Sequence, residues 1–294
     1  MSQVSANGIQ LEARQLGNPG APALLLVRGL GTQMIQWPES FVETLARERN
    51  VILFDNRDVG KSQKFADSGV PDLASLMSGA DVPVPYLLKD MAADAVGVLD
   101  AFDIERAHVF GMSMGGMIVQ EMAAGFPERV RSLISVMSTS GDPDLPHPTP
   151  AALAVLLEAP ERPDDRACVI EHGLRGRRVI GSPGYPDPDE VVRDELGRAF
   201  DRCHDPDGVT RQMAAISASG SRVTKLKQIK TPTLVIHGAD DPLVKLEGGR
   251  DTARHISAAA LEVVEGMGHD LPHSLVPRIV NLVLRHTASA TAAA

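Results

Sequence analysis

Residues 107–116 read AHVFGMSMGG: an apolar run, Ala107-His108-Val109-Phe110, and then Gly111-Met112-Ser113-Met114-Gly115-Gly116. The run has the length of a strand, and the stretch from Ser113 to Gly125 reads as a helix. A Gly-x-Ser-x-Gly string in that setting is a sharp turn that lifts the serine hydroxyl above the sheet. Glycines on both sides make the turn sterically possible. Composition alone yields the string on the order of 0.1 times in a chain of this length, so the setting carries the weight. The plainer use of Ser113 is as a helix N-cap. The strand before it and the helix N-terminus beside it point instead to a nucleophile.

Outward from this turn the same alternation repeats. Ala23-Leu24-Leu25-Leu26-Val27 is a continuous apolar run, as expected of a strand covered on both faces. Further strands are expected at 51–54, 132–136, 233–236 and 261–264. Helices are expected at 39–49, 89–102, 246–255 and 275–285. The second of these places Met91, Ala95, Val98, Leu99 and Phe102 on one face. Near the start, Ala6-Asn7-Gly8 marks a hairpin turn before the alternating Ile9, Leu11 and Ala13. Strands alternating with helices give an α/β class: a mostly parallel, doubly wound sheet with helices on both faces.

Residues 141–225 interrupt the pattern with many prolines and no strand signal. Helices are expected there at 150–158, 165–174, 188–202 and 207–218. Such proline density also suits a disordered linker. Val169, Ile170, Leu174, Val191, Leu196, Phe200, Met213 and Ile216 instead offer apolar faces to bury. The segment therefore reads as a helical cap inserted into a core formed by 1–140 and 226–287. Residues 288–294 read as a disordered tail.

The chain has 294 residues, 43% hydrophobic and 23% charged, with a net charge of −9. These are ordinary values for a soluble globular enzyme. No Lys/Arg stripe appears, which argues against nucleic acid and anionic membrane as partners. Cys168 and Cys203 are too few for a disulfide framework and lie in no metal-ligand pattern. Both are expected to be reduced thiols in a cytoplasmic protein. Residues 1–20 lack a signal-peptide pattern, and no apolar run is long enough to span a membrane. No phosphate loop or metal cluster calls for a cofactor. Homo-oligomerisation is left open.

A serine hydroxyl needs a base to take its proton. Of nine histidines, His269 has the best setting, in Gly266-Met267-Gly268-His269 directly after the last strand. His273, one helical turn on, is the fallback. The base in turn needs a carboxylate to fix its tautomer. Asp241 lies in His237-Gly238-Ala239-Asp240-Asp241-Pro242, just after the strand at 233–236. Asp-Asp-Pro is also a common surface turn. Asp240 and Asp142 are the alternatives.

Five segments in order resemble the α/β-hydrolase fold family over about residues 8–287. They are Leu26-Val27-Arg28-Gly29-Leu30-Gly31 with Trp37, Phe54–Ser62, the Gly111–Gly116 turn, Pro232–Pro242 and Gly266–Pro272. Within that family the chain is similar to the aclacinomycin methylesterases and related bacterial esterases of polyketide-type esters. The resemblance implies an oxyanion hole made by the backbone N–H groups of Leu30 and Met114. It gives Asp55 and Arg57 a bracing role. Many relatives have His-Gly where this chain has Arg28-Gly29. Gly29, Met34, Trp37, Met112 and Met117 are candidates for the substrate pocket, although core packing would use the methionines and tryptophan equally well.

The expected activity is hydrolysis of a carboxylic ester with a sizeable apolar part. A lactonase or macrolide-ring-opening esterase would use the same residues. A slow-turnover ligand receptor on the same fold is the reading from another class, and steady-state turnover separates it from an enzyme.

Overall fold

A computed structural model describes residues 1–292. The first two strands, β1 (Ser2–Ala6) and β2 (Ile9–Leu16), form the expected hairpin. Its turn residues Asn7 and Gly8 both have positive φ, 49° and 77°, the geometry whose twist matches the strands. Then follow β3 (Ala23–Val27), α1 (Glu39–Ala46), β4 (Asn50–Phe54), α2 (Leu73–Met77), α3 (Leu88–Ala101), β5 (Ala107–Met112), α4 (Met114–Gly125) and β6 (Val130–Val136). After a long detour come β7 (Thr233–Gly238) and, two elements on, β8 (Ala260–Val264).

The detour between β6 and β7, hereafter the insertion, carries α5 (Pro150–Leu157), α6 (Arg166–Ile180), α7 (Asp189–Arg202), α8 (Pro206–Ser219) and α9 (Val223–Leu226). Helix α10 (Leu246–His255) joins β7 to β8, and α11 (Val276–Ala292) closes the chain. The eight strands lie in the order β1-β2-β4-β3-β5-β6-β7-β8. Pairings β1/β2 and β2/β4 are antiparallel and the rest are parallel.

All five residues of β3 are buried because both of its faces are covered. Their side chains alternate between two cores. Leu25 and Val27 join Val109, Met117 and Ile118 on the α3/α4 face. Leu24 and Leu26 join Phe41, Phe110, Ile279 and Val283 on the α1/α11 face. Among the described residues no helix is long and apolar enough to cross a membrane.

Three expectations are corrected. The tail is not disordered over 288–292: α11 runs through Ala292. Alanine is the strongest helix former, and the last turns are anchored. Thr287 Oγ1 accepts from Arg49 Nη2 at 2.8 Å, Ala290 is buried, and Thr291 lies 3.3 Å from His108 Nε2. Residues 293–294 of the expected tail lie outside the described residues. Helix α6 continues six residues past the expected end at 174, to Ile180. Finally, α9 straddles the expected boundary at 225/226, and its Leu226 is fully buried in the α3/α4 core.

Loop residues after β4 bind the insertion to the sheet. Asp55, fully buried, accepts from the Met34 and Lys61 backbones and pairs with Arg202 of α7 at 2.7 Å. Asp58, also fully buried, takes both ends of the Arg211 guanidinium of α8 at 2.9 Å, with the Tyr86 hydroxyl donating at 2.6 Å. Arg57 forms a buried two-point contact with Asp94 of α3. The bracing role that the resemblance implied for Asp55 and Arg57 matches these contacts.

Candidate active site

The turn after β5 holds Ser113 at φ 58°, ψ −121°, in left-handed space that a non-glycine residue rarely occupies. Close approach explains its glycine neighbours. A Cβ on Gly111 would lie 2.1 Å from the Gly115 carbonyl oxygen, and one on Gly115 would lie 2.1 Å from that of Val27. Ser113 N–H donates to the Val136 carbonyl, and Ser138 Oγ donates to the Ser113 carbonyl. The strained residue is thus pinned on both sides by β6 and its exit.

Ser113 Oγ lies 2.9 Å from His269 Nε2, and His269 Nδ1 lies 2.7 Å from Asp241 Oδ2. A carboxylate can only accept, so Nδ1 carries the proton and donates. In the neutral ring Nε2 is then the acceptor for the serine hydroxyl. Asp241 is 2% exposed, and its other oxygen accepts from the Leu243 and Val244 N–H groups, each at 2.9 Å. Its orientation is therefore fixed independently of the histidine.

The alternatives lie elsewhere in this arrangement. Asp240 accepts from the Gly266 N–H on the exposed rim. His273, exposed, pairs with Asp187. Asp142 lines the cavity described below, with Oδ1 accepting from the Asp144 N–H.

The loop after β3 comes up beside the serine. A Cβ on Gly29 would lie 3.1 Å from Ser113 Cβ, so only glycine lets this backbone approach without a shift. Among the described residues the N–H groups of Leu30 and Met114 have no hydrogen-bond acceptor. Met114 opens α4, where free N–H groups are intrinsic to a helix N-terminus.

Above Ser113 lies a cavity of about 1120 Å³. Its walls include Gly29, Leu30, Met34, Trp37, Met112 and Met117 from the sheet domain. From the insertion come Leu156, Arg177, Val191, Glu195 and Ile216. All five pocket candidates thus lie at the cavity wall. Trp37 is shared with the core, packing on Phe41 and edge-on to Phe110.

Two groups near the site were not singled out in the sequence. His237, fully buried, lies 3.7 Å from Asp241 Oδ2, and its Nε2 bonds the Val244 carbonyl at 2.8 Å. Burial lowers its pKa below the ordinary histidine value, so it is neutral and puts no second cation on Asp241. Its place directly before Gly238 was the available signal.

The second group is a clamp on the histidine loop. Ile180, the last residue of α6, accepts the His269 N–H at 2.7 Å. Ser182 Oγ accepts the Gly268 N–H at 2.9 Å and donates to Asp270 Oδ1 at 2.5 Å. Burial raises the Asp270 carboxyl above its ordinary value, partly offset by the Ser182 hydrogen bonds. No sequence signal links residues 88 positions apart.

The α/β hydrolase fold family matches over residues 22–162. Rhodomycin D methylesterase DauP of Streptomyces sp. (strain C5) is 29% identical, with 98% of each chain covered. 3-Oxoadipate enol-lactonase 2 of Acinetobacter baylyi is 26% identical, over 89% of this chain and 87% of that protein. Among solved structures, the meta-cleavage product hydrolase CumD from Pseudomonas fluorescens IP01 superposes with a TM-score of 0.78 at 20% identity, covering 99% and 98% of the two chains. An enol-lactonase from Burkholderia xenovorans LB400 gives 0.73 at 23%, covering 98% and 100%.

Proposed function

We propose that this chain, a carboxylic ester hydrolase of the α/β-hydrolase fold, cleaves a bulky, largely apolar ester through a Ser113-His269-Asp241 triad. The observation that carries the reading is the unbroken contact chain of 2.9 and 2.7 Å opening into the cavity. His269 Nε2 takes the Ser113 proton as Oγ attacks the ester carbonyl, while Asp241 stabilises the imidazolium that forms. The Leu30 and Met114 N–H groups receive the developing oxyanion, fixed in place before charge appears. The imidazolium returns its proton to the leaving alcohol. Water, deprotonated by the same histidine, then attacks the acyl-enzyme and frees the acid and the serine.

The insertion acts as a cap that sets substrate size. A cavity of about 1120 Å³ exceeds what a small ester fills. Its methionine and tryptophan walls suit a polycyclic, polyketide-like body, and the chain is similar to two rhodomycin D methylesterases. A lactone is the second reading, favoured by the similarity to 3-oxoadipate enol-lactonase 2.

The test is serine-dependent turnover. Wild type and Ser113→Ala are compared on p-nitrophenyl esters from acetate to dodecanoate, on polyketide methyl esters and on a lactone panel. Turnover of the esters by wild type alone is expected. Turnover confined to lactones favours the second reading. Activity retained in Ser113→Ala rejects the triad, and a single slow turnover without steady state points to a receptor.

A further inference from the structure

Most deeply buried arginines of this protein are matched by acceptors. Arg57 has Asp94, Arg211 has Asp58, and Arg222 reaches Gln120, Gly220 and Thr139. Arg28 is different. It is 5% exposed and lines the cavity over Ser113. Among the described residues its one hydrogen bond runs from Nε to Thr32 Oγ1, at 3.3 Å, and it has no ion pair. Its guanidinium lies 4.6 Å from the centroid of the Trp37 ring. Cation–π contact supports the charge but gives the N–H groups no acceptor.

The surroundings neutralise it only in part. Glu195 favours its charged form more than Arg177 opposes it, but those two pair with each other at 3.1 Å, and neither forms an ion pair with Arg28. Burial lowers the Arg28 pKa to about 10, which leaves it protonated at neutral pH. Its terminal N–H groups are not sealed in the interior but open onto the cavity, where a ligand can supply the acceptors the protein does not. A planar fork of N–H donors matches a carboxylate at two points.

We propose that Arg28 recognises a carboxylate on the acyl part of the ester that Ser113 attacks. The proposal rests on the esterase reading above. The acyl part is favoured because Arg28 directly precedes Gly29, where an added Cβ would lie 3.1 Å from Ser113 Cβ. A group held by Arg28 therefore lies within a side chain's length of the carbonyl under attack. Most of the cavity remains for an apolar body, so the substrate is an amphiphile: apolar over much of its surface and anionic at one point.

Monomethyl adipate and methyl hexanoate differ by that one charge and are compared by pH-stat in wild type, Arg28→Met and Arg28→Lys. Wild type is expected to favour the monoester by about 10- to 100-fold in kcat/KM, the range for a hydrogen-bonded charge. In Arg28→Met that ratio collapses, and Arg28→Lys, with charge but no fork, recovers part of it. A second readout is independent of turnover. Trp37 is the single tryptophan, so its fluorescence reports binding beside Arg28. Adipate should titrate it in Ser113→Ala and not in Ser113→Ala/Arg28→Met. A wild-type ratio near one, with an adipate titration that ignores the Arg28 substitution, overturns the proposal while esterase activity stands. Absent hydrolysis of both esters and of the p-nitrophenyl and polyketide methyl esters, with an Arg28-dependent titration, overturns the esterase reading and leaves the anion site standing.

Discussion

Ser113 occupies a backbone conformation that would relax if the turn were free, and the surrounding packing withholds that freedom. Strain of this kind costs on the order of 1–3 kcal/mol and persists only where the structure over-determines it. Here the fixing contacts are the Val136 carbonyl, Ser138 Oγ and the interlocked Gly111 and Gly115. The Asp241 carboxylate is fixed as firmly, by two backbone donors on Oδ1. An Asp241→Asn side chain keeps both backbone contacts only by turning its NH2 toward His269, which favours the wrong tautomer, and turned the other way its amide oxygen is a weak partner for an imidazolium. We expect kcat to fall by about 10⁴-fold with the fold intact. Asp142→Asn should change kcat by far less. Steady-state kinetics of the two variants decide between them, and a greater loss in Asp142→Asn would move the acid to the loop after β6.

At the scale of elements, the clamp between α6 and the histidine loop is the contact with most to lose. Ser182→Ala removes the acceptor for Gly268 N–H and a donor to buried Asp270, which should cost about 1–3 kcal/mol of stability. Because those groups flank His269, kcat should fall by about tenfold with KM little changed. Thermal unfolding and kinetics are measured together, and a lowered Tm with unchanged kcat would make the clamp purely structural. The clamp also marks where sequence reading stopped. Strand β3, α10 and the Asn7-Gly8 hairpin were legible because their residues act on near neighbours through period and turn chemistry. Ser113, Asp241 and His269 were legible because each follows a strand at the same edge of the sheet, an ordering visible in one dimension. Ser182, the Asp55–Arg202 pair and Asp58–Arg211 were not, since contacts across 88 to 153 residues leave no local pattern. The last turns of α11 were missed for another reason: small polar composition was weighed above the helix propensity of alanine.

For the whole molecule, buried histidines are expected to weaken the fold in acid. His108, fully buried between Ser132 Oγ and Thr291, has its pKa lowered from 6.5 to about 4, first by burial and then by Arg49. The folded state therefore refuses a proton that the unfolded chain accepts. Its contribution, about 3 kcal/mol by linkage, is complete above pH 6.5 and is lost as pH falls toward 4. The shift of His237 has the same sign. Urea unfolding at pH 7 and pH 4.5 should show a smaller acid loss in His108→Gln than in wild type. Equal losses would mean that the carboxylates, not this ring, govern acid unfolding.

The two ion pairs from the loop after β4 to α7 and α8 bear on ancestry as much as on rigidity. Asp55 and Asp58 sit in one segment of the chain, and Arg202 and Arg211 in another. A chimera whose borrowed insertion lacks Arg202 and Arg211 would strand two carboxylates in the interior, at about 3–5 kcal/mol for each broken buried pair. The two segments must therefore travel together when such genes recombine, and substrate range in this lineage should change by point substitution on the cavity wall more readily than by exchange of modules.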